Sequence, residues 1–476
     1  MNRFFLFLLL AAFAFPVRAA VLDVTAFGAR GDGKTDDTEA VRKAVAQAVS
    51  GDTVRFSGGT FFLTGDIEVA GENLALDGDG AIFFDHKPAK GRSMNKILLT
   101  GKNITVKNLK ITSNAKNRSA AHGSISCRDA ENIFIDGVDI SYSPSVAIWT
   151  MNCRNVRITN SHIHHQWADG IHISRDSRGV IIANNTIDQN GDDGIGVVSY
   201  HDSAPWNQLP RNDSVVITGN VISNTPARGI CASGGNLLIT GNRIFNTGKA
   251  GIICTREGWI SEQTIITSNI ISNTGTAEKY GFDFYDSRGT RSGIHVQTNS
   301  NLLIADNIIY GARNGGAGIQ LSAVVDSVVR GNKISDCSRG IQIDSPAHYA
   351  TPEKKMPDDL MKEIYANYKN PPAFAGSDNI LVSGNFIKRM NRDGLYVTGC
   401  AERKVTGLVA EGNVFSDNNT GNHDFVRDLW ADHLERAVIR NNISLGTQAE
   451  KKLSPIQGTG KNCVKTLFLF EDLEKL

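Results

Sequence analysis

Short segments in which apolar and polar residues alternate recur along the chain from about residue 103 onward, and each ends in Asn. The closest copies end at Asn220 and Asn242, or at Asn307 and Asn332, and are 22 and 25 residues apart. A second segment follows and opens with Gly, as in Gly170-Ile-His-Ile. The copies of the first segment are Asn103–Asn108, Asn155–Asn160, Gly179–Asn185, Ser214–Asn220, Asn236–Asn242, Asn301–Asn307, Ser327–Asn332, Asn379–Asn385 and Ala437–Asn442.

This repeat predicts the fold class. Short strands rich in Ile and Val, separated by Gly, Asn and Asp, cannot close a hydrophobic core within one repeat and must stack on their neighbours. Leucine-rich repeats share the period, but their Leu skeleton and the helices between their strands are absent here. We therefore expect an all-β protein that forms a single-stranded right-handed parallel β-helix, a solenoid. The recurring Asn residues should adopt left-handed turns and form a hydrogen-bonded ladder.

The N-terminal region predicts a cover for the open end of the solenoid. An amphipathic segment follows Thr35, and Asp36 and Glu39 have the spacing of a capping box. We therefore expect an N-terminal capping helix. The pair Asp36 and Asp37 is interpreted as a helix cap and not as a catalytic dyad.

The first residues are typical of a secretory signal peptide, because a basic start at Arg3 is followed by an apolar run from Phe4 to Phe15 and by small residues around Arg18. We therefore expect a secreted or periplasmic protein. The expected divisions are a signal peptide at 1–19, an N-terminal cap with the first strands at 20–70, a parallel β-helix at 71–452 with loop insertions near 201–212, 274–292 and 346–376, and a C-terminal cap at 453–476.

Composition and charge narrow the range of partners. The chain has 476 residues, of which 41% are hydrophobic and 21% are charged, as in globular proteins. Its 50 Lys and Arg residues almost balance 49 Asp and Glu residues, so we expect neither nucleic acid nor an anionic membrane surface as a partner. No later apolar stretch approaches the ~20 residues that span a bilayer. The oligomeric state is left open by the sequence.

The cysteine and histidine positions predict neither a metal site nor a disulfide framework. The seven Cys residues form no CxxC pair, so most are expected to be buried thiols. His162, His164 and His165 lie close together, but their spacing has no partner cluster in the sequence. We therefore expect no metal and no organic cofactor.

Three carboxylates mark a candidate catalytic site. Asp169 directly precedes Gly170, Asp193 directly precedes Gly194, and Asp192 is the neighbour of Asp193. Because both Gly residues open strands in successive coils, Asp169 and Asp193 are expected to stack about 5 Å apart. Crowded like charges raise at least one pKa, so that a neutral general acid and an ionised general base can coexist, as glycosidic cleavage requires. Asp-Gly is also a common turn pair, which is the alternative interpretation.

Two segments resemble known families. The stretch from Val24 to Thr38, VTAFGARGDGKTDDT, resembles the opening of the pectate-lyase-like superfamily, which contains polysaccharide hydrolases, lyases, epimerases and phage tailspikes. An Asp-Gly followed about one coil later by Gly-Asp-Asp is similar to the catalytic signature of the inverting β-helical glycoside hydrolases. These are the family 28 polygalacturonases and their dextranase and α-1,3-glucanase relatives. The motifs of this chain, Ala-Asp-Gly-Ile and Gly-Asp-Asp-Gly, are most similar to those of the α-1,3-glucanase type. The resemblance implies that Asp192 protonates the leaving oxygen, while Asp169 and Asp193 position and deprotonate the attacking water.

Departures from the polygalacturonase pattern limit the substrate. That family has Gly-His-Gly where this chain has Ala227-Arg228-Gly229. It has Arg-Ile-Lys, which holds a uronate, where this chain has Ile253-Cys254-Thr255, and Arg256 could only partly substitute. We therefore expect a neutral or differently charged glycan.

Strand alternation predicts the floor of a substrate groove. It turns Ile171 and Ile173 inward and His172 outward, and Gly196 in the next coil would leave room for a sugar ring. The outward column is predicted to contain His172, Gly196, Cys231, Ile253, His295, Gln320, Gln342 and Tyr396. Inserted loops usually line the binding face, and their aromatic residues are Trp206, Tyr280, Phe282, Phe284 and Tyr285. The candidate substrate-binding residues are His172, Arg228, Arg256, Trp206, His201 and His295.

The sequence thus predicts a secreted polysaccharide-degrading glycoside hydrolase that uses an Asp triad in the β-helix groove. Closely spaced carboxylates favour retention, whereas the resemblance implies inversion with the water between Asp169 and Asp193, and we expect inversion. One alternative is a polysaccharide lyase or C5-epimerase, in which Arg228 and Arg256 would act on a uronate and the three Asp residues would bind calcium. The other alternative is a non-catalytic glycan-binding solenoid.

Overall fold

A computed structural model of the chain describes residues 19–86, 96–118, 122–198, 211–254, 261–277, 291–345, 376–401, 403–423, 428–445, 456–457 and 462–472. The signal peptide predicted at 1–19 lies outside these residues except for its last position, and so do most of the three predicted insertions. Within the described residues, no helix is both long and apolar enough to cross a bilayer. The predicted domain boundaries remain predictions.

The strands form three parallel sheets that run along a solenoid, and the strands between the terminal coils pair with their equivalents in the coils before and after them. Sheet 1 carries the predicted site. Its strands are Ile67–Val69, Ile97–Leu99, Gly123–Arg128, Val146–Met151, Ile171–Ser174, Ile195–Val198, Ile230–Ala232, Ile252–Cys254, Ile294–Ala305, Ala317–Arg330, Arg339–Asp344, Leu395–Thr398, Leu429–Asp432 and Ile456–Gln457. The two longest strands, Ile294–Ala305 and Ala317–Arg330, continue round the corner into sheet 2.

Sheets 2 and 3 complete each coil. The other strands of sheet 2 are Val21–Asp23, Thr53–Phe56, Glu72–Gly78, Lys102–Lys107, Glu131–Asp136, Arg154–Thr159, Arg178–Ala183, Asp213–Thr218, Gly235–Thr240, Ser261–Thr267, Asp378–Ser383, Val405–Thr406, Val409–Glu411, Leu434–Glu435, Val438–Ser444 and Leu467–Asp472. Those of sheet 3 are Asp32–Asp36, Thr60–Leu63, Ala81–Phe84, Lys110–Ser113, Asp139–Ser141, His162–His164, Thr186–Asp188, Val221–Thr225, Arg243–Thr247, Ile270–Ser272, Ile308–Tyr310, Lys333–Ser335, Phe386–Lys388 and Val414–Ser416. The predicted all-β parallel β-helix is confirmed.

The hydrophobic core fills the interior of the solenoid. Ile171 and Ile173 are fully buried and pair in register with Ile195 and Val197 of the next coil, which are also fully buried. Such columns of like side chains arise because the strand period of two sends every second residue inward, and parallel stacking then repeats that residue in the next coil. The predicted inward direction of Ile171 and Ile173 is therefore confirmed.

A ladder of buried Asn residues stabilises one corner of the coils. In each step the backbone N–H and the side-chain amide of one Asn donate to Oδ1 of the next, as from Asn220 to Asn242 at 3.0 Å for both bonds. The ladder consists of Asn185, Asn220, Asn242, Asn269, Asn307, Asn332, Asn385, Asn413 and Asn442. For the ladder residues the left-handed backbone belongs to the preceding residue, such as Gly219 with φ 66°. Asn108 and Asn160, which end the first two segments, are themselves left-handed, with φ 60° and 53°. The predicted ladder is confirmed, and the predicted left-handed turn is confirmed at Asn108 and Asn160 and shifted by one position at the ladder residues.

The N-terminal helix is present, but its predicted capping box is wrong. Helix α1 spans Thr38–Gln47, and its Val41 and Ala44 are fully buried. The N-cap residue is Asp37, whose side chain makes no cap bond because it accepts the N–H groups of the Arg30–Gly31 loop at 2.7 and 3.0 Å. Glu39 pairs with Arg42 at 2.6 Å. Because the helix begins one residue later than the capping box requires, Glu39 does not reach the N-cap.

The cysteines behave as the sequence predicts. All seven lie in the described part of the chain, and all are free thiols. Five of them are buried, namely Cys127, Cys153, Cys231, Cys254 and Cys337. Burial raises the pKa of the Cys254 thiol to about 12, so this residue is an inert apolar side chain.

Candidate active site

The three carboxylates predicted from the sequence lie together at the start of two adjacent strands of sheet 1. The N–H of Gly170 donates to the carbonyl of Asp193 at 3.0 Å, which places Asp169 directly beside Asp193 in the next coil. One oxygen from each of Asp169, Asp192 and Asp193 lies within 4.8 Å of the others. Parallel stacking of the coils therefore forms the predicted cluster.

Asp169 is held by a histidine. His172 Nδ1 lies 2.5 Å from Asp169 Oδ2, and both side chains are buried. The edge of the Trp149 ring packs against the His172 ring, with centroids 5.4 Å apart. A Cβ atom at Gly196 would lie 3.0 Å from both Asp169 Oδ2 and His172 Nδ1. The space at Gly196 is therefore taken by this Asp–His pair and not, as predicted, left free for a sugar ring.

Asp193 is held by an arginine of the following coil. Its Oδ1 accepts bonds from both the backbone N–H and the side-chain Nε of Arg228, at 2.9 and 2.8 Å. Both side chains are largely buried, with 6% of Asp193 and 15% of Arg228 exposed. A buried carboxylate with a charged partner is a fixed group, so Arg228 positions Asp193 and lies beside the cluster.

Asp192 is the accessible member of the cluster. Its side chain is 23% exposed and its Oδ2 accepts a bond from Arg118 Nη1 at 2.7 Å. Burial raises the pKa of the Asp192 carboxyl, and the negative charge of Asp169 raises it further, although Arg118 and Arg228 act in the opposite direction. A carboxyl group with a raised pKa can hold a proton where an ordinary carboxylate cannot, which is the property of a general acid.

The sequence did not predict the contact of Arg118 with Asp192 or the contact of Trp149 with His172. Arg118 lies 74 residues before Asp192, and no local pattern connects the two. Trp167 explains the approach of this segment, because its Nε1 donates to the carbonyl of Ala115 at 3.1 Å. Trp149 could have been found, since it precedes His172 in the same outward column.

The predicted groove floor is interrupted. The outward residues Cys231, Ile253 and His295 are only 1%, 2% and 1% exposed. Cys231 and Ile253 belong to a small apolar cluster outside the main core, together with Val198 and Ala250. His295 is therefore buried against protein, and its predicted contact with substrate remains a prediction. Gln342 and Tyr396, further along the column, are partly exposed.

The remaining predicted ligands lie outside the described residues. These are His201, Trp206 and Arg256, together with the loop aromatics at 280–285. Two candidate substrate ligands contact the carboxylate cluster, His172 through Asp169 and Arg228 through Asp193.

Asp393 lies at the same repeat position as Asp169 and Asp193 but outside the carboxylate cluster, so it serves as a comparison. Asp393 also precedes the Gly that opens a strand of sheet 1, and it accepts a bond from Arg339 Nε at 3.0 Å. Only 3% of the Asp393 side chain is exposed. An Asp–Arg pair in this register thus serves the fold, and the predicted site is distinguished by Asp192 and the Asp169–His172 pair.

The carboxylate cluster offers oxygen ligands of the kind that calcium prefers. Two of its carboxylates are already engaged by protein donors, Asp193 by Arg228 and Asp169 by His172. Arg118 supplies a further positive charge at Asp192. Side chains of the chain itself therefore already engage the carboxylates of the cluster. This arrangement suits acid and base chemistry better than calcium binding.

The sequence matches the right-handed β-helix region family over residues 68–206, 207–292 and 284–443. The chain belongs to the right-handed β-helix family. This membership confirms the predicted handedness and the predicted resemblance to the pectate-lyase-like fold. No significant match was found among curated proteins.

Solved structures that are similar to this chain include enzymes with different activities. The A-module of the mannuronan C-5 epimerase AlgE6 from Azotobacter vinelandii is 15% identical, with a TM-score of 0.55 and coverage of 94% of this chain and 98% of that one. The Agl-KA catalytic domain is 18% identical, with a TM-score of 0.53 and coverage of 96% and 69%. The catalytic unit of the GH87 α-1,3-glucanase from Streptomyces thermodiastaticus strain HF3-3 is 16% identical, with a TM-score of 0.47 and coverage of 97% and 71%. At these identities the likeness shows the fold alone.

Proposed function

We propose that this β-helix protein is an exported, inverting glycoside hydrolase that cleaves a polysaccharide, with Asp192 as its general acid. One observation carries the proposal. The partly exposed Asp192 carboxyl, whose pKa is raised, lies against two buried carboxylates that are each fixed by a charged or imidazole partner. Glycosidic cleavage needs one protonated and one ionised carboxyl group at the same bond.

The three carboxylates have separate roles in this proposal. Asp192 is more exposed than its neighbours, so its proton can reach the leaving oxygen. Asp169 deprotonates the attacking water, and His172 orients it through the bond at 2.5 Å. Asp193, fixed by Arg228, holds that water in position. No cofactor is required by this scheme.

The proposed substrate is a glycan other than polygalacturonate. Ile253 stands where polygalacturonases have the arginine of the motif that holds a uronate, and Ile253 is buried, so that charged contact is missing. Export follows from the signal peptide predicted at 1–19.

We predict that Asp192→Asn and Asp169→Asn each lower turnover by roughly 100-fold or more, because each removes an acid or base group. Asp193→Asn should lose most activity as well. The matched control is Asp393→Asn, which removes an equivalent Asp–Arg pair far from the site. Activity is measured as new reducing ends on neutral α-glucans, pectins and bacterial exopolysaccharides, with circular dichroism to check the fold. Wild-type turnover in all three triad variants would show that the site is wrong.

The products separate the proposal from its rivals. New reducing ends without ultraviolet absorbance indicate a hydrolase, whereas an unsaturated uronate chromophore indicates a lyase. Inversion of a uronate without cleavage indicates an epimerase, and glycan binding without any reaction indicates a binding solenoid. The last three outcomes each contradict the proposal.

We further predict that the first product has the opposite anomeric configuration to the cleaved linkage. One oxygen of each carboxylate lies within 4.8 Å of the others, which is closer than the ~6.5 to 9.5 Å usual for inversion. The third carboxylate removes the need for a nucleophile, since water can bind between Asp169 and Asp193 while Asp192 faces the leaving oxygen. Proton magnetic resonance before mutarotation gives the answer, and retention would make one Asp a covalent nucleophile.

A further inference from the structure

A second group of ligand side chains lies on sheet 3, outside the carboxylate cluster. His162 and His164 point outward from one strand, because Ile163 between them is fully buried. Asp139 belongs to the preceding coil and pairs in register with His162. The sequence offered these histidines no partner, and parallel stacking provides one.

The three side chains converge on one point. Asp139 Oδ1 lies 3.1 Å from His164 Nε2, and Asp139 Oδ2 lies 3.7 Å from His162 Nδ1. One ligand atom from each residue falls within 4.8 Å of the other two. The two imidazole rings are stacked with centroids 4.3 Å apart, and one nitrogen of each ring faces the Asp139 carboxylate.

These spacings are close to those of a first-row transition-metal site. With Zn–N and Zn–O bonds of about 2.0 to 2.1 Å, neighbouring ligands of a tetrahedral zinc ion lie about 3.3 Å apart. His164 Nε2 lies 3.1 Å from Asp139 Oδ1 and His162 Nδ1 lies 3.7 Å from Asp139 Oδ2, so side-chain rotations are needed to bring both nitrogens around one ion. Two imidazoles and one carboxylate are a donor set suited to zinc and unsuited to calcium.

We propose that Asp139, His162 and His164 form a binding site for a borderline divalent transition-metal ion such as Zn²⁺. The ion joins two successive coils, because Asp139 comes from one and both histidines come from the next. Three protein ligands leave one position for water or an external ligand. This site is separate from the proposed catalytic function and does not depend on it.

The contacts around His164 support the proposed metal site. His164 Nδ1 lies 2.8 Å from His165 Nδ1, and such a contact at the second ring nitrogen fixes the orientation of a ligand histidine. Tyr142 stacks on the His165 ring at 5.3 Å. The buried Gln166 donates to the carbonyls of His164 and Ile140 at 2.7 and 2.6 Å, which holds the two coils together directly beside the site.

Asp188 of the next coil is not part of the donor set. It pairs in register with His164, but its Oδ1 already accepts bonds from Ser223 at 2.5 Å and Asn224 at 2.7 Å. Both hydrogen bonds lower the pKa of Asp188 and keep its carboxylate directed toward the following coil.

The test uses the full chain, treated with a chelator and then titrated with Zn²⁺ in a calorimeter. We expect one Zn²⁺ per chain, with His162→Gln, His164→Gln and Asp139→Asn each weakening binding on the order of 100-fold. The matched control is His433→Gln, which removes a single surface His–Asp pair of 3.1 Å without a second histidine and should leave Zn²⁺ affinity unchanged. Asp192→Asn should also leave it unchanged, because it alters only the carboxylate cluster.

A second measurement does not depend on variants. Cu²⁺ bound to the wild-type chain should show nitrogen hyperfine structure from two imidazoles in its electron paramagnetic resonance spectrum. The proposal is overturned if Zn²⁺ does not bind, if Zn²⁺ binds equally well to His162→Gln and His164→Gln, or if the copper spectrum lacks nitrogen couplings. Binding that is lost in Asp192→Asn would place the ion at the carboxylate cluster and equally contradict the proposal.

Discussion

At the scale of single residues, the same Asp–Arg pair serves two different purposes. Asp193 with Arg228 and Asp393 with Arg339 occupy the same register before an opening Gly, at 2.8 and 3.0 Å. Both pairs bury a carboxylate that needs a charged partner. The difference lies in the neighbour, because only the first pair adjoins a partly exposed carboxyl group with a raised pKa, that of Asp192. The proposed chemistry therefore depends on Asp192 more than on the buried pair.

Arg118→Gln is predicted to move the alkaline limb of the activity profile to higher pH. Arg118 lowers the pKa of Asp192 through its hydrogen bond and charge, so its removal raises that pKa further. A general acid works in its protonated form, and activity is lost as pH rises through its pKa. The loss should therefore begin at a higher pH in the variant, as measured by turnover against pH.

The control for this experiment is Arg389→Gln. It removes an exposed Arg–Asp pair of 2.6 Å that is remote from the site, and it should not move the limb. An unchanged limb in Arg118→Gln, or a limb displaced to lower pH, would show that Asp192 is not the acid.

At the scale of elements, the buried Asn ladder stabilises one corner of the coils, as the columns of Ile and Val side chains stabilise the sheets. Asn269 shows the pattern, because it accepts two bonds from Asn242 and donates to the carbonyls of Thr267 in its own coil and Ile239 in the preceding coil. Buried polar groups are tolerated because every donor and acceptor is satisfied. The corner therefore has one stable register, which fixes the height of each strand relative to the next.

Asn269→Ala is predicted to destabilise the protein by about 2 to 4 kcal/mol, because it leaves the buried backbone N–H of Asn242 without its acceptor and removes the hydrogen bonds that the Asn269 amide donates. The matched control is Asn236→Gly, at an exposed Asn with φ 51°, where Gly keeps the left-handed backbone. Urea unfolding measures both variants. Equal midpoints for Asn269→Ala and the wild type would contradict the proposed role of the ladder.

At the scale of the whole molecule, the solenoid is a stack in which each coil contacts mainly its neighbours. Sites therefore arise where adjacent coils carry complementary residues at equivalent positions. Asp169 with Asp193, and Asp139 with His162, are two such pairs on different sheets. Beyond the carboxylate cluster the outward column is covered at Cys231, Ile253 and His295, so the accessible surface of sheet 1 is not one continuous groove.

The sequence by itself determined the fold and the carboxylate cluster. Both depend on period and register, since the recurrence of Gly and Asn fixes the coil, and residues at equivalent repeat positions must stack. Asp169 and Asp193 could be placed together for that reason, and so could the Asn ladder. Asp139 also stacks on His162, but its repeat position carries no motif that would draw attention to it.

Only the tertiary structure decided the contacts between residues that share no repeat position. Arg118 reaches Asp192 across 74 residues, and Trp167 ties its segment to the site, although neither contact follows from the period. The tertiary structure also decided the burial of His295, because strand alternation predicts the direction of a side chain but not which residues cover it. Local periodicity thus fixes the direction and height of each residue in the solenoid, while the packing of distant segments fixes its partners, its exposure and its pKa.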